Sequence, residues 1–271
     1  MKRFLKIQIE GTSEEETAIL TAQLSEINFY AFEEENNLFN AYVNEEDFDE
    51  EKLKEILPPK TGFAKEIIEE ENWNQKWESQ VQPVIINNFV AVRPSFSAPI
   101  TNVKHELIIT PKMSFGTGHH ATTHLMIELM ETIDFKNKTV VDFGTGTGVL
   151  AVLAEKCGAA KVVAIDYDEW SVKNALENIQ ANECHRIELK QQSDLKGIEK
   201  VDIVLANINL KVLRNEALSL SEITKKESLL LVSGFLISDE KAMENIFLER
   251  GFVKDKSRQL DNWLAVLFDK T

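Results

Sequence analysis

One segment constrains this chain more than any other: Val140-Val141-Asp142-Phe143-Gly144-Thr145-Gly146-Thr147-Gly148-Val149. An apolar run enters three glycines at alternate positions and leaves as a helical pattern, so the residues dictate strand, tight turn and helix in succession. Glycine is favoured where the backbone must take a positive φ or approach a ligand with no Cβ in the way. Such a turn lies at the carboxyl edge of a parallel strand, where open α/β sheets bind ligands. The spacing is D-x-G-x-G-x-G. A dinucleotide fingerprint would require glycine at Val149, and no G-K-[ST] follows, so neither a nicotinamide site nor a P-loop matches.

The surrounding pattern alternates. Strands at 84–86, 89–92 and 106–110 lead into helix 122–133, strand 139–142, helix 148–157, strand 161–165 and helix 169–182. Strands 186–190 and 202–206, helix 210–224, strand 228–233, helix 238–249 and strands 252–258 and 263–268 complete the chain. Alternation of this kind implies right-handed crossovers and an α/β, doubly wound, mainly parallel seven-stranded sheet. The last two strands are too close for a crossover and are expected to form an antiparallel hairpin at the sheet edge.

The first 60 residues read differently. Leu5, Ile7 and Ile9 alternate with Lys6 and Gln8 as a strand, and Ser13 with Glu16 makes a capping box for a helix carrying Ile19, Leu20 and Leu24. Short strands at 31–33 and 38–43 flank the turn formers Asn36-Asn37, and a helix at 49–57 stops at Pro58-Pro59. The order suggests a small α+β, ferredoxin-like domain. A charged stretch from Lys65 to Glu78 follows, with Trp73 and Trp77 sharing one helical face. The expected division is therefore a small α+β domain over 1–60, a linker helix over 61–80 and a ligand-binding domain over 81–271.

Charge follows the same division. The 271 residues carry 30 basic and 45 acidic side chains, net −15; the first 80 hold 20 acidic and 8 basic, leaving 25 and 22 for the rest. Nucleic-acid binders present basic stripes, so this balance argues against direct nucleic-acid contact and for a basic partner. Cys157 and Cys184 show no metal or redox spacing, and no uncharged run is long enough to span a membrane. A cytoplasmic monomer with reduced thiols is expected.

Three clusters accompany the glycine loop. Asp166 ends the second strand of the alternating pattern, where a carboxylate can accept hydrogen bonds from two ribose hydroxyls. Phe115-Gly116-Thr117-Gly118-His119-His120 precedes the helix at 122, where it can cap the helix and close over a ligand. His120 and His124 are four apart but lack a third ligand, so no metal is expected. Ala206-Asn207-Ile208 ends the fourth strand, where the Asn207 carbonyl can accept a hydrogen bond from a nucleophilic nitrogen and aim its lone pair.

Together, Ser114-Phe115-Gly116-Thr117-Gly118-x-His120-x-Thr122-Thr123, Val141-Asp142-Phe143-Gly144-x-Gly146-x-Gly148, Gly158-Ala159-Ala160-Lys161 leading to Ile165-Asp166-x-Asp168, and Ala206-Asn207-Ile208 resemble the bacterial ribosomal protein L11 methyltransferase family, a class I S-adenosylmethionine-dependent group. The resemblance covers residues 65–271. It implies that residues 1–60 form a substrate-recognition domain and 81–271 a methyltransferase domain, with methyl transfer from S-adenosylmethionine to lysine ε-amines and the α-amine of that ribosomal protein. It also implies cofactor contacts at Thr123, Gly144, Asp166 and Asn207; Phe115, Thr117 and Gly146 join these as candidates, and Asn207 is the catalytic candidate. His119, Ala121, Thr145 and Thr147 depart from the family's usual residues. Another protein or a small-molecule amine as acceptor, a non-catalytic cofactor sensor, and a nicotinamide oxidoreductase, which Val149 disfavours, are the competing readings.

Overall fold

The computed structural model describes residues 3–10, 14–35, 38–58, 61–69, 82–110, 112 and 114–271. Ser13, Asn36, Asn37, Pro59, Trp73 and Trp77 lie outside the described residues, as does the rest of the expected linker helix from 70 to 80. The chain divides into two compact units, Met1–Gln80 and Val81–Thr271.

In the first unit, β1 (Arg3–Glu10), α1 (Glu14–Ser25), β2 (Ala31–Glu35), β3 (Leu38–Asn44), α2 (Glu50–Ile56) and β4 (Phe63–Glu69) build an antiparallel sheet ordered β2-β3-β1-β4. The alternation in β1 sends Leu5, Ile7 and Ile9 into a core with Leu20, Leu24 and Leu53. Asp49 caps α2 by accepting from the Glu51 and Lys52 amides. The linker helix expected from residue 61 does not begin there. Residues Phe63–Glu69 are instead a strand, paired antiparallel with β1 from Ile9 opposite Phe63 to Arg3 opposite Glu69. The unpaired edge of β1 decides this: long-range pairing overrides the local preference of a charged segment.

The second unit opens with a small sheet of β5 (Val84–Ile86), β6 (Val90–Arg93) and β7 (His105–Ile108). Then come α3 (Ala121–Met130), β8 (Thr139–Phe143), α4 (Val149–Lys156), β9 (Lys161–Asp166), α5 (Glu169–Ala181), β10 (Ile187–Gln191) and β11 (Val201–Asn207). The chain continues through α6 (Leu210–Ile223), β12 (Thr224–Leu236), α7 (Glu240–Leu248), β13 (Phe252–Leu260) and β14 (Trp263–Lys270). Seven strands form one sheet ordered β10-β9-β8-β11-β12-β14-β13. The first five are parallel, and β14 pairs antiparallel with both β12 and β13. The closing hairpin is as expected, with its last strand on the inner side.

Successive residues of a strand feed opposite layers. Val140, Val162, Ala164, Ile203 and Leu205 pack with α3 and α4, whereas Val141, Val163, Ile165, Val204 and Ala206 pack with α6 and α7. Burial on both faces is why these strands read as unbroken apolar runs rather than alternating ones. Among the described residues, no helix is long and apolar enough to cross a membrane.

Candidate active site

The apolar strand β8 delivers the glycine loop to the carboxyl edge of the sheet. Gly144, Gly146 and Gly148 hold φ of 77°, 55° and 82°, in the left-handed region that other residues enter only at a cost. A Cβ on Gly144 would lie 2.3 Å from Ile208 Cγ2, and one on Gly146 would lie 2.3 Å from the Phe115 carbonyl oxygen. The turn is pinned from β9, where the Ile165 carbonyl accepts from both the Gly144 and Thr145 amides. One residue on, Asp166 Oδ2 accepts from the Gly146 amide at 2.9 Å and Oδ1 from the Asp168 amide at 3.1 Å.

The segment before α3 is stapled to this loop. The Thr147 amide donates to the Phe115 carbonyl at 2.9 Å and its hydroxyl to the Gly116 carbonyl at 2.6 Å. His120 Nδ1 accepts from the Thr122 amide, capping α3, and its ring stands edge-on to Phe115 at 5.0 Å and Trp263 at 4.9 Å. His124, one turn further along α3, faces Glu128 at 3.5 Å.

Asn207 closes β11. Its Nδ2 donates to Thr123 Oγ1 at 3.3 Å, and its Oδ1 is buried with no protein partner. The backbone after it lies against a bulge in β12: Gly234 has φ 97°, and a Cβ there would sit 2.1 Å from the Ile208 carbonyl oxygen.

These ends surround a cleft of about 530 Å³. Behind it, Asp142 is fully buried and accepts from the Thr145 hydroxyl at 2.6 Å. Burial pushes its carboxyl up to about 7; the Thr145 bond opposes the shift, and the nearby Asp166 charge adds to it.

The sequence model of the family described as ribosomal protein L11 methyltransferase (PrmA) matches residues 5–271. The chain belongs to this family. A ribosomal protein L11 methyltransferase from Phocaeicola vulgatus is 36% identical over 259 residues, covering 92% of each chain, and one from Porphyromonas gingivalis is 33% identical, covering 96% of this chain and 92% of that protein. The crystal structure of a ribosomal protein L11 methylase from Lactobacillus delbrueckii subsp. bulgaricus superposes with a TM-score of 0.65 at 27% identity, over 70% of this chain and all of that one. A Pyrococcus furiosus methyltransferase, 16% identical with a TM-score of 0.51 over 60% of this chain and 89% of that one, shares the fold.

As a member of the ribosomal protein L11 methyltransferase family the chain is a methyltransferase, and the cleft brings together most of the residues its sequence singled out. Phe115, Gly144, Gly146, Asp166 and Asn207 all line it. Thr123 does not: it is fully buried and meets the cleft only through Asn207. Thr117 does not line it either, because its hydroxyl bonds His119 Nδ1, whose Nε2 reaches the Gln82 carbonyl. Tyr167, Gln192, Ser193, Gly234 and Trp263 also line the cleft and went unread in the sequence. Only Tyr167, directly after Asp166, carried a local signal.

Proposed function

We propose that the protein transfers methyl groups from S-adenosylmethionine to lysine ε-amines and the N-terminal α-amine of ribosomal protein L11, as a cytoplasmic monomer without direct nucleic-acid contact. One observation carries the reading: a cradle that a single Cβ would fill, a carboxylate at the next strand end and a buried, unpartnered amide oxygen all meet in one cleft.

The residues present fit the cofactor. Gly144 and Gly146 leave backbone open to its amino-acid part, and Asp166 retains acceptor capacity for ribose hydroxyls because each oxygen accepts from a single backbone amide. Phe115 and Tyr167 offer exposed aromatic surface beside them. Bound there, S-adenosylmethionine supplies an electrophilic methyl group to an amine nucleophile.

An amine attacks only when neutral, and a free lysine has a pKa of ~10.4, so entry into the cleft must favour loss of its proton. Asn207 Oδ1 accepts one N–H of the neutral amine and so turns the lone pair in a fixed direction, with the released proton passing to solvent. The acidic first 80 residues attract a basic ribosomal protein at long range and raise the rate of encounter.

The test is transfer of radiolabel from S-adenosylmethionine to purified ribosomal protein L11, with mass spectrometry of the product. Label on lysines and the α-amine is expected. Cofactor binding without label on that protein would transfer the reading to another acceptor.

A further inference from the structure

One face of α5 and its C-cap carry three buried asparagines, Asn174 and Asn178 in the helix and Asn182 capping it, spaced four apart so that they stack along the axis. Side-chain amides this deep cost stability unless bonded, and two of the three are bonded to backbone outside the helix. Asn182 covers the edge of β7, accepting from the Ile108 amide at 2.9 Å and donating to the Ile108 carbonyl at 2.7 Å.

Asn178, one turn earlier, reaches in two directions. Its Oδ1 accepts from the Thr110 amide at 3.0 Å, and its Nδ2 donates to the Thr147 carbonyl at 2.8 Å. A backbone amide only donates and a carbonyl only accepts, so the orientation of the Asn178 side chain is fixed by its partners. Thr147 in turn holds Phe115 through its amide and Gly116 through its hydroxyl. Its three polar groups thus tie the glycine loop to the 114–118 segment on one side and to α5 on the other. Gly148 permits the approach, since a Cβ there would stand 3.3 Å from Ala175 Cβ.

We infer that Asn178, which does not line the cleft, is a positioning residue for methyl transfer: by holding Thr147 and Thr110 together it sets the spacing between the glycine loop and the Phe115-Gly116 wall opposite. The inference rests on the reading that this cleft holds S-adenosylmethionine.

The experiment compares Asn178→Asp with Asn182→Asp. Each keeps an acceptor oxygen and loses a buried amide group that donates twice, Asn178 to the Thr147 carbonyl and Asn174 Oδ1, Asn182 to the Ile108 and Asn178 carbonyls, so each lowers the melting temperature; only the first releases the glycine loop. With S-adenosylhomocysteine as the probe, isothermal titration calorimetry should show Asn178→Asp binding roughly tenfold or more weakly, the scale of one lost buried hydrogen bond. Asn182→Asp should stay within about twofold of the parent chain on the same scale. Equal affinities for the two variants overturn the inference. A parent chain that fails to bind the probe removes the reading of the cleft and the inference with it. Should Asn178→Asp not fold, Asn178→Ala and Asn182→Ala carry the same test without a buried charge: weaker binding of the probe by the first than by the second supports the inference, and equal affinity for the two overturns it.

Discussion

The Thr123 hydroxyl accepts a hydrogen bond from Asn207 Nδ2 at 3.3 Å, which leaves Asn207 Oδ1 as the free end of that amide. An amide in the reverse orientation would present two donors, which cannot receive an amine N–H. Asn207→Ala is expected to lower kcat by about 100-fold or more while changing the cofactor Kd much less, the pattern of a group that acts on the nucleophile. Thr123→Val, which keeps the volume and removes the acceptor, should lower kcat in the same sense by roughly tenfold, with Thr123→Ser close to the parent. Steady-state kinetics beside calorimetry of cofactor binding check both.

The glycines of the cleft differ in what surrounds them. Gly146→Ala would force the Phe115 carbonyl away from a position 2.3 Å from the new carbon and break the Thr147 amide bond to it. Gly197 has a similar φ of 72° but nothing within 4 Å. Gly197→Ala should therefore cost only the left-handed strain, about 1–2 kcal/mol, with unchanged cofactor affinity, whereas Gly146→Ala should abolish measurable binding. Gly234→Ala falls between them: it pushes on the Ile208 carbonyl and should depress kcat through Asn207 before it affects affinity.

Asp142 gives a pH signature. Its carboxyl is raised by burial from an ordinary 3.8 to about 7 in the folded protein. Between those values the unfolded chain has released the proton and the folded chain still holds it, so stability falls as pH rises from about 4 to about 7 and then levels. Asp142→Asn keeps an acceptor for the Thr145 hydroxyl and removes the titration. Its unfolding free energy relative to the parent should rise between pH 5 and 8, by a few kcal/mol at most; parallel pH profiles for the two chains would dismiss the effect.

The strand at Phe63–Glu69 changes how a truncation should be cut. Removal of residues 1–60 would leave β4 without β1 and expose an unpaired strand, so residues 1–80 must be removed together. The remaining chain, which holds its own two apolar layers, should retain cofactor binding and lose methylation of intact ribosomal protein L11. In the full chain, kcat/KM for that substrate should fall with added salt as the attraction is screened. Methylation by the shortened chain at the parent rate would refute recognition by the first unit.

Where a signal was local, the sequence disclosed it. The glycine loop, Asp166 at the next strand end, the Asn207 turn and every strand of the second unit's main sheet could be read from apolar runs and punctuation. What escaped depends on distant partners. Phe63–Glu69 becomes a strand only because β1 offers an edge more than fifty residues earlier in the chain. His120 was legible as part of a segment able to cap α3, but the contacts of its ring with Phe115 and Trp263 were not, because Trp263 lies far along the chain. Gln192 and Trp263 reach the cleft from β-strand ends whose order in the sheet no local pattern encodes.

The position of β14 has a consequence for assembly. It follows β13 in the sequence, yet it lies between β12 and β13, and its first residue, Trp263, lines the cleft. A chain that has formed the glycine loop, Asp166 and Asn207 still lacks one wall, so the cleft is complete only once β14 has inserted between its neighbours. Ligand-dependent protection from proteolysis would then mark chains in which that insertion has taken place.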